Sequence, residues 1–346
     1  MIRHYIEPIG SLTGTDADPL NECAAKEMLW HLARIVPGIE LPHAWKFAAH
    51  IRPTLTDEPT RKTAGSSMLI GLQCAPDSCG VDVMAGLMTQ APCQVKVLLD
   101  TILPRAIWDA YGEDASLDGL NMVRDFIQTD HQGSHLTVLG TTAINCCAMA
   151  ASQFRVYMTT SNTSFNHFAA IMTLGGRKTE LPKSVSQIKE LWYGLKGSPA
   201  NFSTTLGSPS SVSGAATSNA NANVSSVTFY FDIHPRYSLP HVKLQVDVSK
   251  HSMSDMGAIQ AVMGFLERRG QGGEARAYLR VVLGMVSEEE LRTRRGLQAF
   301  FAFAFKGGNI NITSNFLPQI YRRFAETQAS SPWSNGSRRR SRFESY

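Results

Sequence analysis

The chain has 346 residues, a mass of 37.9 kDa and a formal net charge of +4, enough for roughly two domains or one large barrel or sandwich. Apolar residues at 43% and charged residues at 18% exclude wholesale disorder and a fibrous repeat. The longest unbroken apolar run, Ala299 to Phe305, falls far short of a membrane-spanning helix.

Asp18-Pro19 reads as a helix cap followed by proline, and Leu20, Ala24, Met28, Leu32 and Ile35 recur at helical spacing up to Pro37-Gly38. Ser67 to Gln73 and Gln94 to Leu99 read as strands separated by an irregular stretch containing Cys, Pro and Gly. A helix follows from Leu117 to Ile127. Leu136 to Leu139 and Gln153 to Thr159 are the next strands, with a helical segment, Ala143 to Ala151, between them. Ser164 to Met172 and Ser184 to Leu195 are helical patterns.

Residues 197–226, rich in Ser, Gly, Asn, Ala and Thr, read as a flexible insertion. Strands return at Val227 to Ile233 and Val242 to Val248. Asp255 caps a helix ending at Gly270, and a second runs from Glu274 to Val286. Leu297 to Phe305 alternates with period two, turns at Gly307-Gly308 and continues through Ile310 and Ile312. Pro318 opens a last helix. Residues 329–346 form a disordered basic tail, in which four arginines against one glutamate carry most of the net charge. Without aromatic interleaving, such a tail does not point to nucleic acid.

The N-terminus carries Arg3, His4 and Glu7 where a signal peptide needs an apolar core, which predicts a cytoplasmic protein. Its six cysteines are then thiols, and their spacings match no zinc pattern. His234, His241 and His251 fall near one strand pair and read as scattered polar or loop histidines rather than a metal cluster.

Helices and strand pairs alternate along the chain, which favours hairpins packed under helices. A closed antiparallel barrel ringed by helices satisfies the pattern, and so does a mixed open sheet covered on one face. Within the strands, cations recur: Arg3 beside Tyr5, Lys96, Arg155 beside Tyr157, and Lys243 beside Gln245. Residues two apart share a strand face. If these faces point into a barrel, the cations converge on one interior site that needs a multiply charged anion such as a diphosphate. If they point outward, each is a solvated surface charge.

These stretches resemble the fungal aromatic prenyltransferases of the dimethylallyltryptophan synthase family. The resemblance rests on Arg3-His4-Tyr5-Ile6-Glu7-Pro8-Ile9-Gly10, on Asp18-Pro19-Leu20-Asn21, and on Arg155-Val156-Tyr157 followed by Thr173-Leu174-Gly175-Gly176. It continues through Phe265-Leu266-Glu267-Arg268-Arg269-Gly270 and Arg295-Gly296-Leu297-Gln298. It implies an α+β protein of αββα repeats, an antiparallel barrel surrounded by helices and incomplete at the N-terminus, as a single domain over residues 1–328.

It further implies metal-independent transfer of a dimethylallyl group from dimethylallyl diphosphate to an electron-rich aromatic acceptor in secondary metabolism, with no cofactor, no nucleic acid and no membrane. A homodimer is compatible. By position, Arg3, Lys96, Arg155, Tyr157, Lys243 and Gln245 would surround the diphosphate, and Asn311, Thr313, Asn315 and His251 would line the acceptor and cation pocket. The family's tyrosine shield departs at Leu98, Gln245, Asn311 and Asn315, and His251 stands where a tyrosine is usual. The departures imply an acceptor other than tryptophan, a phenolic or polyketide ring for example, or a barrel that binds without turnover. The family's general-base glutamate would lie before Met1.

Overall fold

The computed structural model describes residues 2–51, 66–74, 81–88, 95–179, 181, 185, 187–195, 227–248, 254–293, 296–306 and 309–316. Strand β1 (Ile2–Ile6) precedes helices α1 (Cys23–Ile35) and α2 (Pro42–Ile51), then β2 (Met68–Cys74) and β3 (Val81–Met88). Helical turns over Val95–Val97 and Leu98–Ile102 run into α3 (Leu103–Tyr111), followed by α4 (Asp118–Thr129), β4 (Thr137–Asn145) and β5 (Phe154–Thr160). The pattern repeats with α5 (Phe165–Thr173), α6 (Lys189–Leu195), β6 (Val227–Ile233) and β7 (His241–Asp247). It repeats again with α7 (Asp255–Arg268), α8 (Gly272–Met285), α9 (Glu288–Thr293), β8 (Gln298–Lys306) and β9 (Asn309–Phe316).

The strands form one nine-stranded antiparallel sheet in strictly sequential order, with β1 and β9 at its edges among the described residues. The sheet curls, since Gln73 of β2 lines the same cavity as Asn311 and Thr313 of β9. This is the αββα arrangement, with helices on the outer face. Alternation builds both layers: Phe154, Val156 and Met158 of β5 and Phe229 and Phe231 of β6 are buried in the main core. Phe168 of α5 stacks on Trp192 of α6 at 5.0 Å and reaches Phe229 at 6.4 Å. Fully burying each such ring contributes about 1.5–3 kcal/mol.

Several elements differ from their sequence reading. Gln94 to Leu99 is not a strand: its described part, from Val95, is helical, because the local Val-Lys-Val alternation gives way to the helical spacing of Leu99, Leu103, Ala106, Ile107 and Ala110, all buried. The expected strand is instead β3, where Val83, Ala85 and Leu87 alternate into the core. The segment read as a helix from Ala143 begins as the end of β4, its backbone paired with both β3 and β5. Helix α2 was not read from the sequence, although Pro42 opens it and Pro53 follows two residues after its last residue. Asp18 does not start a helix four residues early; its carboxylate accepts from Glu22 N and Cys23 N at 2.8 and 3.0 Å and so anchors the start of α1. The cap of α7 is Ser254, whose hydroxyl accepts from Gly257 N at 3.1 Å. The insertion at 197–226, the tail at 329–346, the helix after Pro318 and His251 lie outside the described residues.

Candidate active site

Across the inner face, Arg155 of β5 sits directly opposite Asp232 of β6, and Lys243 of β7 sits opposite Tyr230. Asp232, 3% exposed at its side chain, receives Arg155 Nε on Oδ1 at 2.5 Å and Lys243 Nζ on Oδ2 at 2.8 Å. Burial works against the charge on Asp232, yet the Arg155 guanidinium and the Lys243 ammonium outweigh it and hold the carboxyl below its ordinary value. Burial likewise opposes the charge on Arg155, and Asp232 more than compensates, so the guanidinium stays protonated.

The Tyr157 and Tyr230 rings stack beside this triad at 5.1 Å. Lys243 Nζ lies 5.2 Å and Arg155 Cζ 5.8 Å from the Tyr230 centroid, within cation–π range. Burial pushes the Tyr157 hydroxyl above its ordinary pKa, with Arg155 pulling the other way, so the phenol is neutral at physiological pH. Small residues make room. Ala143 lies cross-strand from Arg155, and a Cβ on Gly71 would stand 2.9 Å from Met84 Cε and 3.3 Å from Tyr5 Cε1.

Two cavities meet at these side chains. One, of about 150 Å³, is lined by Tyr5, Gly71, Met84, Asn145, Arg155 and Lys243. The other, of about 280 Å³, is lined by Tyr230, Asp232, His241 and Lys243 on one side and by Asn311 and Thr313 of β9 on the other. Along β8 it is bordered by the small Ala302 and Ala304 and by Phe303 and Phe305. Gln73 and Gln153 border both. A cationic, ring-lined pocket that opens into a roomier polar one can hold a charged head and a flat body side by side.

Of the residues singled out in the sequence, Arg155, Tyr157 and Lys243 meet at one point, and Asn311 and Thr313 face the larger cavity. Gln245 follows Lys243 on β7, opposite Thr228 and Ala302. Asn315 is paired with Phe300, and its backbone carbonyl accepts from Nε2 of Gln298, on β8, at 2.9 Å. Arg3 pairs with Gln73 in the β1–β2 register. Lys96 is corrected outright: it is exposed on a helical turn, not on an inward strand face. His234 lies beside Tyr237, with ring centroids 4.4 Å apart, away from these cavities. Asp232 and Tyr230 were missed, although their two-residue spacing on one strand matches that of Arg155 and Tyr157. The cations therefore have an internal counter-charge, and an external anion is not required to make them tolerable.

The sequential sheet under paired helices, with cations gathered on its inner face, is the architecture of an αββα-barrel prenyltransferase. Residues 1–281 match the tryptophan dimethylallyltransferase family, and the chain belongs to it. Prenyltransferase vrtC of Penicillium aethiopicum is 66% identical over all of this chain and 74% of its own length. Prenyltransferase nscD of Arthroderma otae is 45% identical over 93% of the chain and 73% of its own length. Among solved structures, NotF in complex with brevianamide F and DMSPP superposes with a TM-score of 0.72 at 16% identity, covering 91% of this chain and 76% of that one. AnaPT from Neosartorya fischeri does so at 0.69 and 19%, covering 91% and 74%. The chain is thus an enzyme of the aromatic prenyltransferase class.

Proposed function

We propose that this prenyltransferase moves a dimethylallyl group from dimethylallyl diphosphate to an electron-rich aromatic acceptor, indole or phenolic, in cytoplasmic secondary metabolism and without a metal ion. The observation that carries the reading is the meeting of Arg155 and Lys243 beside the stacked Tyr157 and Tyr230 rings. Positioned guanidinium and ammonium groups neutralise a departing diphosphate as a metal would. The allylic C–O bond breaks with its electron pair on the diphosphate oxygen, and the aromatic faces shield the allyl cation. The acceptor ring carbon then bonds to that cation, and its proton passes to the released diphosphate or to water as aromaticity returns.

The larger cavity supports an oxygen-rich acceptor over tryptophan. Amide and hydroxyl groups of Asn311 and Thr313, beside the small Ala302 and Ala304, offer hydrogen bonds to the oxygens of such a ring. We place the prenyltransferase domain at residues 1–328 and the diphosphate at Arg155, Tyr157, Lys243 and Gln245, with Arg3 contributed by β1.

Calorimetric titration with dimethylallyl thiolodiphosphate in EDTA tests the reading. The native chain is expected to bind, and the Arg155→Ala, Asp232→Asn, Lys243→Ala triple variant, which leaves no buried carboxylate unpaired, to lose at least a hundredfold in affinity while remaining folded by circular dichroism. Equal binding by the two would refute the placement of the donor.

A further inference from the structure

Asp232 is the one group among those lining the described cavities whose charge opposes the chemistry just proposed. Its two carboxylate oxygens take the Nε face of Arg155 and the ammonium of Lys243, the same two cations assigned to the donor, and its side chain is 3% exposed. It cannot swing into solvent to make way. A carboxylate fixed there lets two cations sit in the wall of the sheet in the absence of substrate, since a buried pair with its partner is tolerated where a lone charge is not. It also cancels one of their two positive charges, so a diphosphate entering the cavity shares both cations with it.

We infer that Asp232 is a built-in counter-anion that competes with the diphosphate for Arg155 and Lys243, positions both cations while the site is empty, and keeps the product diphosphate from being held too tightly. The inference rests on the donor-site reading. The geometry gives it direction. Arg155 meets the carboxylate through Nε, with Nη1 turned toward Met84 Sδ, a weak acceptor on the wall of the smaller cavity. Lys243 lines both cavities, and its ammonium reaches them as well as Asp232. The donor thus adds contacts to cations that are already aimed, and the energy of aiming them is not drawn from donor binding.

The test is a double-mutant cycle read by calorimetric titration with inorganic diphosphate at one ionic strength. Asp232→Asn preserves size and removes one negative charge a few ångströms from the ligand, so diphosphate is expected to bind about tenfold tighter or more. Steady-state kcat should fall through slower product release, and KM for the donor should fall with it. Lys243→Gln alone leaves Arg155 neutralised by Asp232 and is expected to weaken binding. Adding Asp232→Asn to Lys243→Gln restores the original net charge and should recover affinity to within about threefold of the native chain.

That rescue distinguishes competition from a structural role, which would make the double variant bind worse than either single one. It also stands if Asp232→Asn alone fails to fold, because the double variant carries no second uncompensated cation. Weaker or unchanged binding on removing the Asp232 charge in the Lys243→Gln background overturns the inference while the donor site stands. Absence of diphosphate binding by the native chain overturns the donor site and this inference together.

Discussion

His167 shows how one side chain can tie acid sensitivity to packing. It is fully buried at the start of α5, with Nδ1 2.7 Å from Gln132 Oε1 and Nε2 3.1 Å from Thr160 Oγ1 at the end of β5. Burial first, then His135 and His131 nearby, bring its pKa from 6.5 down to about 4. The unfolded chain takes up this proton near pH 6.5 and the folded chain only near 4, so the associated stability is complete above 6.5 and is lost as the pH falls toward 4. Between pH 7 and pH 4.5 the loss is roughly 2 kcal/mol. Unfolding free energies from urea titrations at pH 7 and 4.5 should therefore converge in His167→Gln by about that amount relative to the native chain, and an unchanged gap would place the acid sensitivity elsewhere, such as at the buried His43.

At the level of elements, the join between α7 and β8 depends on one carboxylate. Asp255, 1% exposed, accepts from Gly296 N, Leu297 N and Gln298 N at 3.2, 3.0 and 3.3 Å, and so fixes where β8 enters the sheet. Asp255→Ala strands these donors, and the denaturant midpoint should report a loss of about 3 kcal/mol, with Asp255→Asn in between because it keeps one acceptor oxygen. The sequence showed an aspartate at a helix start and suggested a local cap. Its partners lie some forty residues away, and no local pattern names them. The same limit explains the site. Arg155, Tyr157 and Lys243 were legible because long apolar strands fix which residues share a face. Asp232 was not, because recognising it requires knowing that β6 lies between β5 and β7 in the register that sets Arg155 against it. Lys96 failed for the opposite reason: three residues of alternation were read without the helix that follows them.

Across the whole molecule, the period of two divides labour between the faces of the sheet. Outward residues such as Phe231, 0% exposed, pack under helices, while inward ones such as Asn311 face the cavity. Phe231→Ala is expected to cost about 3–5 kcal/mol and to leave KM of the surviving folded fraction unchanged. Asn311→Ala should shift acceptor KM with a stability change within about 0.5 kcal/mol. Chemical denaturation paired with steady-state kinetics checks both, and a KM change in the phenylalanine variant would mean that the two faces are coupled.

The strictly sequential strand order has a consequence for how the chain reaches this state. Every described strand pairs only with its predecessor and successor, so each hairpin can close while later residues are still being synthesised, on a timescale of microseconds against many milliseconds per added residue. Residues 196–226 interrupt the run between α6 and β6, but closure entropy grows only as the logarithm of loop length, about 0.6 kcal/mol per doubling. A large sheet is thereby assembled by successive additions of the next strand in the chain, and a pairing error in one hairpin can be undone without dismantling the rest.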